Sequence, residues 1–203
     1  MISIHVETNY ILELAFSQEQ AQSCLRLLEI HERSGAKLVI PAFSIGECFD
    51  TLVRRSTQRK RLAETVSVEL KQISRSLAYK SEVPALDSIT RLLINSLEDD
   101  KRRLDEILVR VLEVAEIVPL NKGVVTGAIE YREKYGLGYQ DSLVFSSVMY
   151  HLHSLDSAPS CFLNRNSKDF DDPDIVEKLG KMDCKMLFSF DKGLDYVNGF
   201  LGS

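Results

Sequence analysis

The stretch Ile2-Ser3-Ile4-His5-Val6-Glu7-Thr8-Asn9 alternates Ile2, Ile4 and Val6 with Ser3 and His5. β-Branched residues at a period of two read as a short strand. An apolar series at helical spacing begins at Ile11, so Glu7 stands where a strand gives way to a helix. In open α/β sheets, ligands collect at this carboxyl edge of the strands. A carboxylate there, beside a Thr hydroxyl and an Asn amide, is a feature that a metal or phosphate site could use.

Two short helices are expected next, one through Ile11–Phe16 and one through Cys24–Ile30, with Ser34-Gly35 as the stop. Lys37-Leu38-Val39-Ile40 reads as a second strand closed by Pro41. Strand, helices, strand opens a parallel βαβ arrangement. In the following Pro41–Asp50 segment, Ser44 and Glu47 have capping-box spacing, with each side chain satisfying a backbone N–H of the other residue. Glu47 is equally a second carboxylate at the start of a helix after a strand. One side chain cannot serve both purposes.

A helical pattern continues from Ala42 to about Tyr79, and another from about Asp87 to Ile117. With the Ser81-Glu82-Val83-Pro84 connection, they read as an antiparallel helical hairpin, an insertion over approximately 57–116 within a single domain of residues 1–203. Arg54, Arg55, Arg59, Lys60 and Arg61 carry little compensating acid. They form either a solvated helix face or a patch for phosphates, and Lys101-Arg102-Arg103 is a second basic cluster. Glu116–Leu120 is a candidate third strand.

Asn121 starts a further helix that Gly136-Leu137-Gly138 stops. Asp141 then lies in the first turn of an apolar helix, placed either for the helix dipole or as a third acid at a helix start. His151 and His153 are two apart and do not share a helix face, which argues against a joint metal site. Cys161–Leu163 reads as a buried strand that feeds an acid-rich loop containing Asn164, Asn166, Asp169 and Asp172. A helix through Ile175 and Leu179, a strand over Lys185–Phe190 and a last helix capped by Asp191 complete the alternation. The pattern is that of a parallel sheet with helices on both faces.

The 203 residues carry a formal net charge of -5, so a polyanion would have to be held by a local basic patch or by metal ions. Cys24, Cys48, Cys161 and Cys184 have neither zinc nor redox spacing and are expected as core thiols. The first residues lack a signal-peptide pattern and no segment has membrane-spanning length, so a soluble, cytoplasmic protein with no membrane partner is expected.

Glu7, Glu47, Asp141 and the Asn166–Asp169 loop thus occupy comparable places, at strand ends or helix starts. Clustered carboxylates repel one another unless a cation compensates, and oxygen ligands suit Mg²⁺ or Mn²⁺. Such an ion can assist phosphodiester hydrolysis. No phosphate-cradling glycine loop or nucleophilic Asp motif points to an α/β phosphatase instead.

Four ordered motifs resemble the PIN-domain ribonucleases: Val6-Glu7-Thr8-Asn9, Pro41–Glu47, Leu137–Leu143 and Phe162–Phe170. The resemblance implies a three-layer α/β/α sandwich around a central parallel sheet, with the helical hairpin as an addition. It also implies an Mg²⁺- or Mn²⁺-dependent endoribonuclease, in many relatives the toxin of a toxin–antitoxin pair. By that analogy Glu7, Glu47, Asp141 and Asp169 are the catalytic acids, and Glu7, Glu47, Asp141 and Asn166 the metal ligands. Thr8, Asn9 and Asn164 would order the surroundings of the metal. Arg54, Arg55 and Arg59 are the candidate RNA contacts, with an antitoxin and a second copy of the chain as possible protein partners. Two departures from the family pattern stand out: Glu7 where Asp is usual, and Asn166 where Asp is common. They leave a second reading open, a catalytically weak PIN-like module that binds RNA or protein through the hairpin.

Overall fold

The computed structural model describes residues 1–203 apart from 34, 80–82, 156–157 and 203, and it does not describe the side chains of 83–87. Five strands pair in parallel: β1 (Ile2–Val6), β2 (Ala36–Pro41), β3 (Glu116–Val118), β4 (Ser160–Leu163) and β5 (Cys184–Leu187). Their spatial order is β3-β2-β1-β4-β5. The chain winds outward from β1 through β2 to β3, then crosses back to lay β4 on the other side of β1. That reversal makes the carboxyl ends of β1 and β4 the topological switch point, where a crevice opens between diverging connections. Val6 is paired with Leu163 there, which sets Glu7 and Asn164 side by side at the crevice.

Helices cover both faces of the sheet. Ile2, Ile4, Val6, Leu38, Ile40, Cys161 and Leu163 pack with α1 (Thr8–Ala15), α2 (Ala21–Glu32) and α9 (Phe190–Leu201). Phe162 packs on the other face with Phe145, Val148 and Met149 of α6 (Tyr139–Leu152) and with Ile175 and Leu179 of α8 (Pro173–Gly180). The helix α5 (Lys122–Tyr135) lies against α6, where a Cβ at Gly127 would come within 2.6 Å of Ser146 Oγ. Gly136 ends α5 in the left-handed region at φ 66°, a conformation that lets the chain turn back at once into α6. The result is the expected three-layer α/β/α sandwich. All four cysteines are buried free thiols. Among the described residues no helix is long and apolar enough to cross a membrane.

The alternation in β1 does not mark a solvated face, because all five residues are buried. His5 reaches α6, where its Nε2 shares a 2.8 Å hydrogen bond with His151 Nδ1. Burial, reinforced by His151, lowers the His5 pKa to about 3, so the imidazole is neutral at physiological pH. His151 in turn faces Glu116 at 3.4 Å, and Glu116 is ion-paired with Lys37. The two histidines thus satisfy buried polar atoms beneath a helix.

The hairpin consists of α3 (Ala42–Ile73) and α4 (Val83–Val114). The expected start of an insertion near residue 57 falls inside α3, which is unbroken. The returning end of α4 packs onto the core, with Leu104, Leu108 and Val111 buried in the same cluster as β1 and β2. Ser81 and Glu82 of the expected connection, and Ser34 of the expected helix stop, lie outside the described residues. The last helix is not capped by Asp191. Ser189 caps α9 by accepting from Lys192 N–H, and Asp191 instead accepts from Ser23 Oγ at 2.5 Å.

Candidate active site

β1 ends one residue before α1, and Glu7 is the extended residue that caps this helix. Asn9 N–H donates to Glu7 Oε2 at 2.9 Å, leaving the other oxygen, Oε1, buried with no hydrogen-bond partner. Only 6% of Glu7 is exposed. Burial pushes its pKa up to about 7, with the nearby Glu47 adding to the rise and the N–H groups of Asn9 and Arg165 opposing it. A neighbouring ion pair holds the Arg165 segment in place: the Arg165 guanidinium binds Glu13, a buried acid of α1.

β2 runs into α3 with only Pro41 between its extended run and the first helical turn. The helix therefore begins at Ala42, before Ser44, and the expected Ser44–Glu47 capping box does not form: Pro41 is the N-cap and no side chain caps the helix. Ser44 Oγ is buried without a partner. Glu47 turns instead toward α1, where Thr8 Oγ1 donates to its Oε2 at 2.5 Å. Burial raises the Glu47 pKa, the Thr8 hydroxyl opposes this, and the charges of Asp141 and Asp50 push it further up.

Asp141 stands in the first turn of α6, as expected, and does not cap it, since Gly138 is the N-cap. Asn166 joins it to the loop after β4: the Asn166 amide donates to Asp141 Oδ1 at 3.2 Å and to Asp169 Oδ2 at 2.7 Å. Asn164 Oδ1 in turn accepts from Asn166 N–H at 2.6 Å, which fixes the loop at the end of β4. Burial raises the Asp141 pKa and Asp169 adds to the rise, while the Asn166 hydrogen bond lowers it. Asp172 plays no part, because it caps α8 by accepting from Asp174 and Ile175 N–H.

These side chains surround one cleft of about 440 Å³. Glu7, Thr8, Asn9, Glu47, Asp141, Asn164, Asn166 and Asp169 all line it, and so do Arg54 and Arg55. Arg55 is held with its guanidinium 4.5 Å above the Phe16 ring. Arg59 is not in the lining. Its guanidinium lies between the hairpin helices and donates to Asp100 Oδ2 at 2.7 Å and to Ser96 Oγ at 3.1 Å. Arg59→Ala should therefore act on the hairpin rather than on a ligand. A loss of about 1–3 kcal/mol is expected, because Asp100 keeps only its contact with Arg103. Denaturant unfolding measures this, and a stability equal to wild type would show that the contact carries no weight.

Sequence reasoning missed three polar members of the cleft lining: Asp50, Thr51 and Gln140. Two of them were available from helical spacing, since Glu47, Asp50, Thr51 and Arg54 follow the three- and four-residue steps of one helix face. Gln140 simply precedes Asp141 in the first turn of α6.

The sequence of this arrangement matches a family model described as "PIN domain" over residues 4–170. The chain belongs to the PIN domain family. PIN domains are in general nucleases. Among solved structures, the chain is similar to the crystal structure of VapBC2 from Rickettsia felis bound to a DNA fragment from their promoter. That match has 14% identity and a TM-score of 0.46, and it covers 92% of this chain and 99% of the other. No curated protein gives a match.

A PIN nuclease implies a divalent cation, and the donor set of the cleft fits one. The donor atoms its acids and amides could offer a cation are oxygens, the type that hard divalent ions such as Mg²⁺ or Mn²⁺ take. Glu47 raises the pKa of Glu7, Asp141 that of Glu47, and Asp169 that of Asp141, a linked row of repulsions that a cation would relieve. The partnerless Glu7 Oε1 is an open ligand position. In the conformation described, no group of three or more His, Cys, Asp or Glu side chains among the described residues converges to metal-holding spacing. The Asn166 amide instead bridges two of the acids.

Proposed function

We propose that this PIN domain is a metal-dependent endoribonuclease that hydrolyses RNA phosphodiester bonds. The observation that carries the reading is the row Glu7–Glu47–Asp141–Asp169 along one cleft, with a buried carboxylate oxygen left without a partner. Mg²⁺ or Mn²⁺ bound by Glu7, Glu47, Asp141 and Asn166 would neutralise phosphate charge and acidify a bound water. The protein's own part is placement. Thr8 orients Glu47, Asn166 spaces Asp141 from Asp169, and Asn9 N–H fixes one oxygen of Glu7. Asp169, the acid of the row outside this metal set, is left to take the proton released by an attacking water. Arg54 and Arg55, on the α3 wall, supply cations for the neighbouring phosphates of a chain whose net charge is negative.

The test is cleavage of a mixed RNA pool by the purified chain in Mg²⁺, in Mn²⁺ and in EDTA. Cleavage in either metal that stops in EDTA supports the reading, and no cleavage in any of the three refutes it. Replacing both Arg54 and Arg55 with Ala should weaken RNA binding roughly tenfold at moderate salt and lower the salt slope by up to about two charges. An unchanged slope in a salt titration would return both residues to the role of a solvated helix face.

A second reading is favoured by the Asn166 amide that occupies the space between Asp141 and Asp169. It makes the chain a catalytically weak module that binds RNA or protein through the hairpin. Calorimetry with Mn²⁺ separates the two readings, since only the nuclease requires binding that Asp141→Asn weakens. On the family resemblance, the nuclease reading extends to a toxin paired with an antitoxin protein, acting in the cytoplasm. Association with a second copy of the chain is the other protein contact to test.

A further inference from the structure

Tyr139 is 75% exposed, yet its ring is not loose. It is the first residue of α6, immediately before Gln140 and Asp141 of the cleft lining. The Arg132 guanidinium, from the last turn of α5, lies 4.3 Å from the ring centroid. Among the described residues no carboxylate is ion-paired with Arg132. Its charge is therefore not consumed by a neighbour, and its contact with the ring restrains the tyrosine. The tight turn at Gly136 is what brings the two residues together, because it returns the chain from the end of α5 straight into α6. One face of the ring is backed by a cation and much of the remainder is open to solvent; Tyr139 is not itself in the cleft lining, and Gln140, the next residue of the same first turn, joins it to the cleft rim.

We propose that Arg132 and Tyr139 form a base-stacking platform, a subsite that receives one unpaired base of an RNA strand beside the cleft. The inference rests on the nuclease reading above and adds to it a binding contact outside the carboxylates. An exposed aromatic face takes any base, and a guanidinium behind it strengthens the stack. The cleft already offers Arg54 and Arg55 on the α3 wall for phosphates, so the α6 side contributes base contact to a site otherwise built for backbone. A base in a duplex keeps its faces covered by its neighbours, so the platform selects single strands and, among these, bases that stack well.

The probes are fluorescently labelled oligo(A), oligo(U) and a duplex of the two. The host is the full chain carrying Asp141→Asn, so that the probe survives, and binding is read by anisotropy. The host should bind oligo(A) more tightly than oligo(U) and the duplex least. Adding Tyr139→Ala should weaken oligo(A) binding by about 5- to 150-fold, the usual worth of one stacked base. It should also level the preference for oligo(A), whereas Tyr139→Phe should stay within about twofold of the host. The Tyr139→Ala protein should melt with the host, as the substitution of an exposed side chain predicts. Host affinity in Tyr139→Ala, or an equal loss in Tyr139→Phe, overturns the platform and leaves the nuclease reading standing. Absence of binding to every probe by the host itself overturns the platform, and absence of cleavage by the wild-type chain overturns the nuclease reading.

Discussion

Glu7→Gln is expected to melt at a higher temperature than the wild-type chain in metal-free buffer at pH 8, and to cleave no RNA when Mg²⁺ or Mn²⁺ is supplied. In the unfolded chain the Glu7 carboxyl titrates near its ordinary 4.5, and in the folded chain at about 7. Between those values the folded state binds more protons than the unfolded state, so stability falls as pH rises through that window and stays reduced above it. The charged Glu7 costs the metal-free fold on the order of 3 kcal/mol at pH 8. Gln carries no charge and keeps an acceptor for Asn9 N–H, at the expense of a buried amide. Roughly 5 °C of stabilisation is expected at pH 8, shrinking toward zero near pH 4. Melting curves across pH in EDTA check this. A variant that melts at or below wild type at pH 8 would show that the carboxylate is not a source of strain. The coupled loss of cleavage would make Glu7 a residue held for function against stability.

Asp141→Asn should lower cleavage by at least about 100-fold with little effect on the fold. Substitutions one layer outside a metal's own ligands commonly cost 10- to 100-fold, and loss of a ligand charge costs more. The amide oxygen of Asn is still able to accept from the Asn166 amide, and removing a half-buried charge that Asp169 already opposes relieves repulsion. Initial rates in Mn²⁺, with circular-dichroism melts on the same preparation, measure both effects. Cleavage at the wild-type rate would remove Asp141 from the site and with it the four-acid reading.

The parts of this molecule that were legible in its sequence are those governed by local periodicity and by chain order. Three acids after three strand or helix boundaries announced a common sheet edge, because parallel connections return every strand in the same direction. Glu47 shows the limit. Ser44 and Glu47 have the spacing of a cap, but a cap needs Ser at the boundary, and Pro41 starts the helix three residues sooner. Arg59 shows another. It lies one turn beyond Arg55 in a run of like charges, and what removes it from the cleft is Asp100, 41 residues distant in the chain. His5 reads as the polar side of a strand until α6 is laid over it. In each case the deciding contact is tertiary and leaves no mark in a local window.

α3 carries Glu47 in its second turn and runs on unbroken to Ile73. At a rise of 1.5 Å per residue the two are about 39 Å apart along one rod. The acid at the cleft and the outer reach of the hairpin are thus opposite ends of one continuous helix. A protein bound at the outer end would sit out of contact with the carboxylates. One that stoppers the cleft must seat itself at the root, against Arg54 and Arg55. The two ends of α3 are therefore separate places for a partner to hold, and only the inner one adjoins the acids.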